Sequence, residues 1–212
     1  MELTLAQLMS MTTSLMQGRT DYTNSELSRF VNMAADELAS AVPMRSLETT
    51  LSATVAYQGS AVSIVEANLH FVHSISNLSQ PANSVFRSLE PTSVQWIDSQ
   101  STFYGTPTHY ATYGWAGMRV WPSVDTETVL QVRAQARLGV VASSTGTFNV
   151  DPKWHPAIGY RAAAIAASER NDLEQEAVNQ ARYLAFVNSR PLDIESKQRQ
   201  VGGFRVSLPA RR

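Results

Sequence analysis

Four histidines, 18 acidic residues and no cysteine are what this 212-residue chain offers for metal or acid-base chemistry. The absence of cysteine excludes disulfides, thiolate catalysis and Cys-ligated zinc. His70 and His73 are three apart in a β-rich run. On a regular strand an odd separation predicts opposite faces, so the pair is not expected to share a metal. His109 and His155 have no acid at ligand spacing, and His155, just before Pro156 near a helix start, reads as a capping or surface residue. Glu169/Asp172 and Glu174/Glu176 are the close acid pairs, and they read as solvated helix faces. No Gly-rich phosphate loop, GxSxG elbow or HExxH helix is present. Trp115, Trp121, Tyr110 and Tyr113 are the one aromatic group with binding chemistry, since aromatic faces suit pyranose rings, and core or interface packing is the competing use. No catalytic residue, metal or cofactor is expected, and the chain is not expected to be an enzyme.

The elements that would carry these residues fall into three blocks. Leu5, Leu8, Met9, Leu15 and Met16 lie near helical spacing, with Gly18 as a stop. A second helix starts at a Thr23/Glu26 capping box, carries the stripe Leu27, Phe30, Val31, Ala34, Ala35, Leu38 and ends at Pro43. From Leu47 the period drops to two, with Leu47, Leu51, Ala53, Val55 and Tyr57 on one face. Gly59 turns the chain and Ala61 to Val65 forms a short partner strand. Pro91 to Ser99 reads as a helical turn or two carrying Trp96 and Ile97 inward, and Pro107 to Tyr113 with Gly117 to Trp121 as a hairpin through Gly114-Trp115-Ala116-Gly117. The strand Thr128 to Leu138 sets Thr128, Leu130, Val132, Ala134, Ala136 and Leu138 against Gln131, Arg133, Gln135 and Arg137. Asp151 as cap and Pro152 at the first position begin an alanine-rich helix. A last helix runs on Leu173, Ala177, Ala181, Leu184 and Ala185 to Pro191.

The fold class that follows is α+β. Residues 1–45 and 150–192 form one helical bundle, residues 46–149 an inserted antiparallel β domain of sandwich or barrel type, and residues 193–212 an extended basic arm. The net charge is −1, yet from Ser196 onward there are five basic residues and no acid. No apolar run approaches the ~20 residues of a membrane span, and the first 18 residues lack a secretory pattern, so the protein is expected to be soluble and made in the cytoplasm. Beyond Gly202-Gly203, Phe204, Val206 and Leu208 alternate with Arg205 and Ser207, a strand-like pattern that a purely solvated tail does not need.

The order of these features resembles the head-to-tail adaptor proteins of tailed bacteriophages. The resemblance is carried by "TNSELSRFVNMAADELA", "GTPTHYATYGWAGMRVWPSVDTETVLQVRAQARL", "FNVDPKWHPAIGYRAAAIAAS" and "AVNQARYLAFVN", and covers about Thr23 to Asn188. It implies a structural virion protein of the neck between capsid and tail: a homo-oligomeric ring, typically of twelve copies, seated under the portal and presenting a platform to the tail or nozzle protein. DNA would pass through it as non-specific cargo, which suits an acidic body, since a basic lumen would hold phosphates. Two surfaces are assigned as contacts. Phe204, Arg205, Val206, Leu208, Arg211 and Arg212 of the arm would add to a sheet edge or groove on the portal or a neighbouring subunit. Trp115, Arg133, Gln135 and Arg137 of the β domain would meet tail protein or another subunit. The competing class is a tail-associated carbohydrate-binding β module without catalysis, resting on the aromatic group alone.

Overall fold

In the computed structural model, the described residues are 2–17, 21–63, 69–113 and 117–189. They divide into two compact units, one drawn from Met1–Leu47 and Arg137–Ile194, the other from Glu48–Ala136.

The first unit is helical. Helix α1 (Leu5–Leu15) opens on a capping box in which the Thr4 hydroxyl accepts from the Gln7 N–H while the Gln7 side chain accepts from the Thr4 N–H. Helix α2 (Asn24–Ala41) repeats the device with Thr23 and Glu26. The Thr23 backbone N–H holds the Glu26 carboxyl below the usual carboxylate range. Thr23→Ala removes one cap of α2 and is expected to cost about 1 kcal/mol, read as a lower urea midpoint at unchanged slope.

The buried stripe of α2 is Leu27, Phe30, Val31, Ala34, Ala35, Leu38 and Ala39. Its small residues allow close approach to helix α4 (His155–Glu169), which buries ten of its 15 residues and so has no solvent face of any width. Asp151 and Pro152 start a short 3-10 turn, Pro152–Trp154, rather than α4 itself. Helix α4 begins three residues later, with Pro156 in its first turn. Helix α5 (Leu173–Ser189) packs along α4. Asn171 takes a positive φ of 55° between them, and asparagine tolerates that region better than most residues.

The second unit holds two sheets around one core. Sheet one has the order β1 (Glu48–Val55), β7 (Thr128–Ala136), β3 (Leu69–Asn77), all antiparallel. Sheet two runs β2 (Ala61–Ser63), β6 (Gly117–Trp121), β5 (His109–Tyr113), β4 (Glu90–Pro91), with β4 parallel to β5. Ala53, Val55, Ile75, Leu130 and Val132 from the first sheet and Tyr110, Met118 and Val120 from the second share the core. The class is α+β, with no closed barrel among the described strands.

Three expectations change here. Leu47 sits in a 3-10 turn before β1 and is buried in the helical unit, while Tyr57 lies past the strand end and is 64% exposed. The stretch after Gly59 does not return beside β1. Gln58 donates to the Val124 carbonyl and Val124 donates back to Gly59, which carries the chain to sheet two, where β2 pairs with β6. Helix α3 (Val94–Ser99) forms as expected and buries Ile97, but Trp96 stays half-buried on the outer face of sheet two.

Candidate interaction surfaces

The histidines fall on backbone features that spacing alone does not reveal. Strand β3 bulges twice against β7, between Leu69 and Phe71 and between Val72 and Ser74, and the extra residues are His70 and His73. Each follows a residue opposite β7's inner row (Leu69 with Ala136, Val72 with Ala134) and precedes one opposite its outer row (Phe71 with Gln135, Ser74 with Arg133). The two therefore occupy equivalent positions, and the expectation of opposite faces fails because each bulge resets the alternation. Burial pushes His73 below its ordinary pKa, with Glu48 opposing and Arg133 assisting. Among the described residues no three His, Asp or Glu stand together as a metal site.

His109 does have an acid beside it: the parallel β4–β5 pairing sets Glu90 opposite, with its carboxylate 3.7 Å from Nε2. The Thr108 hydroxyl lies 2.8 Å from Nδ1 and the Trp96 ring stacks on the imidazole. His155 is wholly buried rather than at the surface. The Leu3 N–H donates to its Nδ1 at 2.8 Å, so Nδ1 is the unprotonated nitrogen and Nε2 carries the proton, 3.2 Å from the Val150 carbonyl. It fastens the segment before α1 to the loop before α4.

Of the close acid pairs, Glu169 and Asp172 have structural partners. Glu169 pairs with Arg29 at 2.6 Å, and the Asp172 carboxylate accepts from the Gln175 N–H at the start of α5. A concavity of about 330 Å³, lined by Met44, Arg45, Ser46, Asp151 and Trp154, contains one acid, already engaged by the Lys153 N–H and ammonium.

Of the aromatic group, Tyr110 is buried in the core and Trp115 lies outside the described residues. Trp121 packs edge-to-face on Trp96 at 5.3 Å, touches His109, and donates its indole N–H to the Ser101 carbonyl. Tyr113 lays its ring over Gly117, where an added Cβ would come within 2.4 Å of it. Trp121 is thus part of a packed cluster with α3, not a bare platform. The exposed aromatics of this unit include Tyr57, which sequence patterning placed on the packed face of the first strand, and Phe103 and Tyr104, which it did not single out. Backbone hydrogen bonds tie their two segments to Ser123-Val124: Gln58 donates to Val124, and Ser123 donates to the Phe103 carbonyl and accepts from Gly105. Their one sequence signal is a position beside a turn glycine, Gly59 or Gly105, where burial is not required.

The polar row of β7 does not act as one surface. Arg133 is exposed and reaches the Glu48 carboxylate at 3.2 Å. Gln135 is 0% exposed and cannot meet another protein from where it stands. It lies on the central strand, between Glu48 of β1 and Phe71 at the first bulge of β3. Arg137 lies beyond the end of β7, in the helical unit, 3.6 Å from Asp36. The arm residues Phe204, Arg205, Val206, Leu208, Arg211 and Arg212 lie outside the described residues.

Helix α5 shows the largest departure. Leu173, Ala177, Ala181, Leu184 and Ala185, read as its packing stripe, are all exposed, and Asn179 and Tyr183 are buried instead. The inward seam is set by Phe186, edge-to-face with Trp154 and Tyr160, and by the Arg161 guanidinium, which donates to Gln180 at 2.5 Å.

A search of curated proteins finds no match to the chain. The profile of the SU10 adaptor protein family matches residues 3–207, nearly the whole sequence, and the chain accordingly belongs to that family of phage adaptor-type structural proteins.

Proposed function

We propose that this virion protein is a head-to-tail adaptor: a homo-oligomeric ring, of about twelve copies by the resemblance, that joins the capsid portal to the tail or nozzle protein and lines the DNA passage. The observation that carries the reading is the family match over residues 3–207, which takes in both units together. The helical segments 1–45 and 150–192 would form the ring body and meet the portal, and the β segment 46–149 would face the tail. Exposed Tyr57, Phe103 and Tyr104 suit that contact, because aromatic side chains are enriched at the anchoring centres of interfaces. The basic residues concentrated from Lys197 onward leave the remaining body acidic, which lets duplex DNA slide rather than bind.

The test is to add the purified protein to portal-bearing capsids that lack their neck and weigh what attaches. Many copies per portal are expected, and removing Gly202 to Arg212 should leave the fold intact while attachment fails or weakens greatly. Failure of the full chain to attach, or attachment of one copy per portal, overturns the adaptor reading. Unchanged attachment of the truncated chain overturns the role of the arm.

A further inference from the structure

The outer face of α5 needs a cover. Around the helix, Leu173, Ala177, Val178, Ala181, Leu184 and Ala185 all lie on the side away from buried Asn179 and Tyr183, and Leu173 is 73% exposed. A helix apolar on both sides is ordinarily buried on both. The polar residues on this face are few, and the charge is polarised along it. Glu174 lies on this face in the first turn, after Asp172, whereas Glu176 falls on the packed side; exposed Arg182 stands in the second half of the helix, and the last turn has no basic residue.

We infer that Phe204 to Arg212 fold back over this face of α5 in the same chain, running antiparallel to the helix. Charge and length both favour this occupant. The 17 residues of α5 span about 25 Å, at roughly 1.5 Å each. The nine residues from Phe204 to Arg212 span about 30 Å when extended, at roughly 3.3 Å each. An antiparallel path starting beside Leu184 brings Val206 near Ala181 and Leu208 near Ala177 and Leu173. Arg211 and Arg212 then reach the Asp172 and Glu174 end, while Arg182 stands beside the start of the path. A parallel path would carry those arginines away from the acids. The intervening residues 190–203, which include Gly202-Gly203, need only close a loop at the end of α5. Tethering to the very helix it covers gives the arm a millimolar effective concentration, which a second copy in dilute solution cannot match. The arm would leave this face when a stronger partner competes for it.

The chain has no cysteine, so a pair introduced into the full-length protein reports proximity cleanly. Ala177→Cys with Leu208→Cys should close an intramolecular disulfide under mild oxidation at least about tenfold faster than Ser25→Cys with Leu208→Cys, a control at exposed Ser25 of α2. Raising salt to about 0.5 M, or adding Arg211→Glu with Arg212→Glu, should slow closure, because the steering charges are screened or reversed. Ala181→Cys with Val206→Cys is a second pair for use if the first alters the circular dichroism. Equal rates in test and control pairs, or disulfide-linked dimers in place of closed monomers, overturn the inference. The result is independent of the adaptor reading, since capsid attachment fails or succeeds without changing closure in the free chain.

Discussion

Trp154→Ala is expected to cost about 3–5 kcal/mol, enough to leave the helical unit largely unfolded near physiological temperature, since whole domains are stable by only about 5–15 kcal/mol. Trp154 is among the largest fully buried side chains described and sits in the 3-10 turn that launches α4. Its ring meets Phe186 of α5 edge-to-face at 6.4 Å, so alanine leaves a cavity where α4 and α5 are joined to the preceding loop. Far-UV circular dichroism during urea unfolding measures the loss. Trp154→Phe should cost much less than alanine. It keeps an aromatic face for Phe186 and removes an indole N–H that is buried without a hydrogen-bond partner among the described residues. A near-neutral alanine variant, or a phenylalanine variant as damaging as alanine, would show that ring burial is not what holds this junction.

His155→Ala should cost about 2–5 kcal/mol, because it empties a buried site and leaves the Leu3 N–H and the Val150 carbonyl without their ring partner. His155 also makes stability depend on pH. Burial pushes its pKa below the ordinary 6.5, and His73 is displaced in the same direction. Well above pH 6.5 both are neutral in the folded and the unfolded chain, and their contribution is complete. As pH falls below that value the unfolded chain takes up protons that the folded chain refuses until its own lower pKa is reached. Stability therefore drops with falling pH, by up to about 1.4 kcal/mol per pH unit for one fully buried histidine. The measurement is the urea midpoint at pH 8, 7, 6 and 5, beside His155→Gln, which can accept from Leu3 and donate to Val150 but does not titrate. The glutamine variant should show the shallower acid dependence. Identical slopes would assign the acid sensitivity to other groups.

Several features were legible because they are local. A Thr followed three residues later by Glu specifies the start of α2 wherever the helix packs, since donor and acceptor lie within one turn. The row Leu130, Val132, Ala134 in β7 points inward as its period of two requires. The α+β class follows from the same two periodicities. The adaptor resemblance was carried by the order of such elements, and no single residue of a site contributed to it.

What was misread depends on a partner distant in sequence. Helix α5 is apolar on both sides, so its own residues cannot say which side packs. Trp154 and Tyr160 around Phe186, with Arg161 at Gln180, decide it from outside the helix. His70 and His73 changed register because β3 had to fit two extra residues beside β7, a misfit visible only once both strands are paired. Glu90 reached His109 through a parallel pairing across 19 positions, and β2 left β1 because Val124 offered its backbone to Gln58 and Gly59. Gln135 kept its place in an alternating row and was buried with its strand between two others. By itself the sequence determined which segments are helix or strand and where they start, because those free energies are summed over neighbours a few residues apart. Tertiary structure alone decided which faces are covered and which side chains meet, because burial depends on atoms that chain order leaves unspecified.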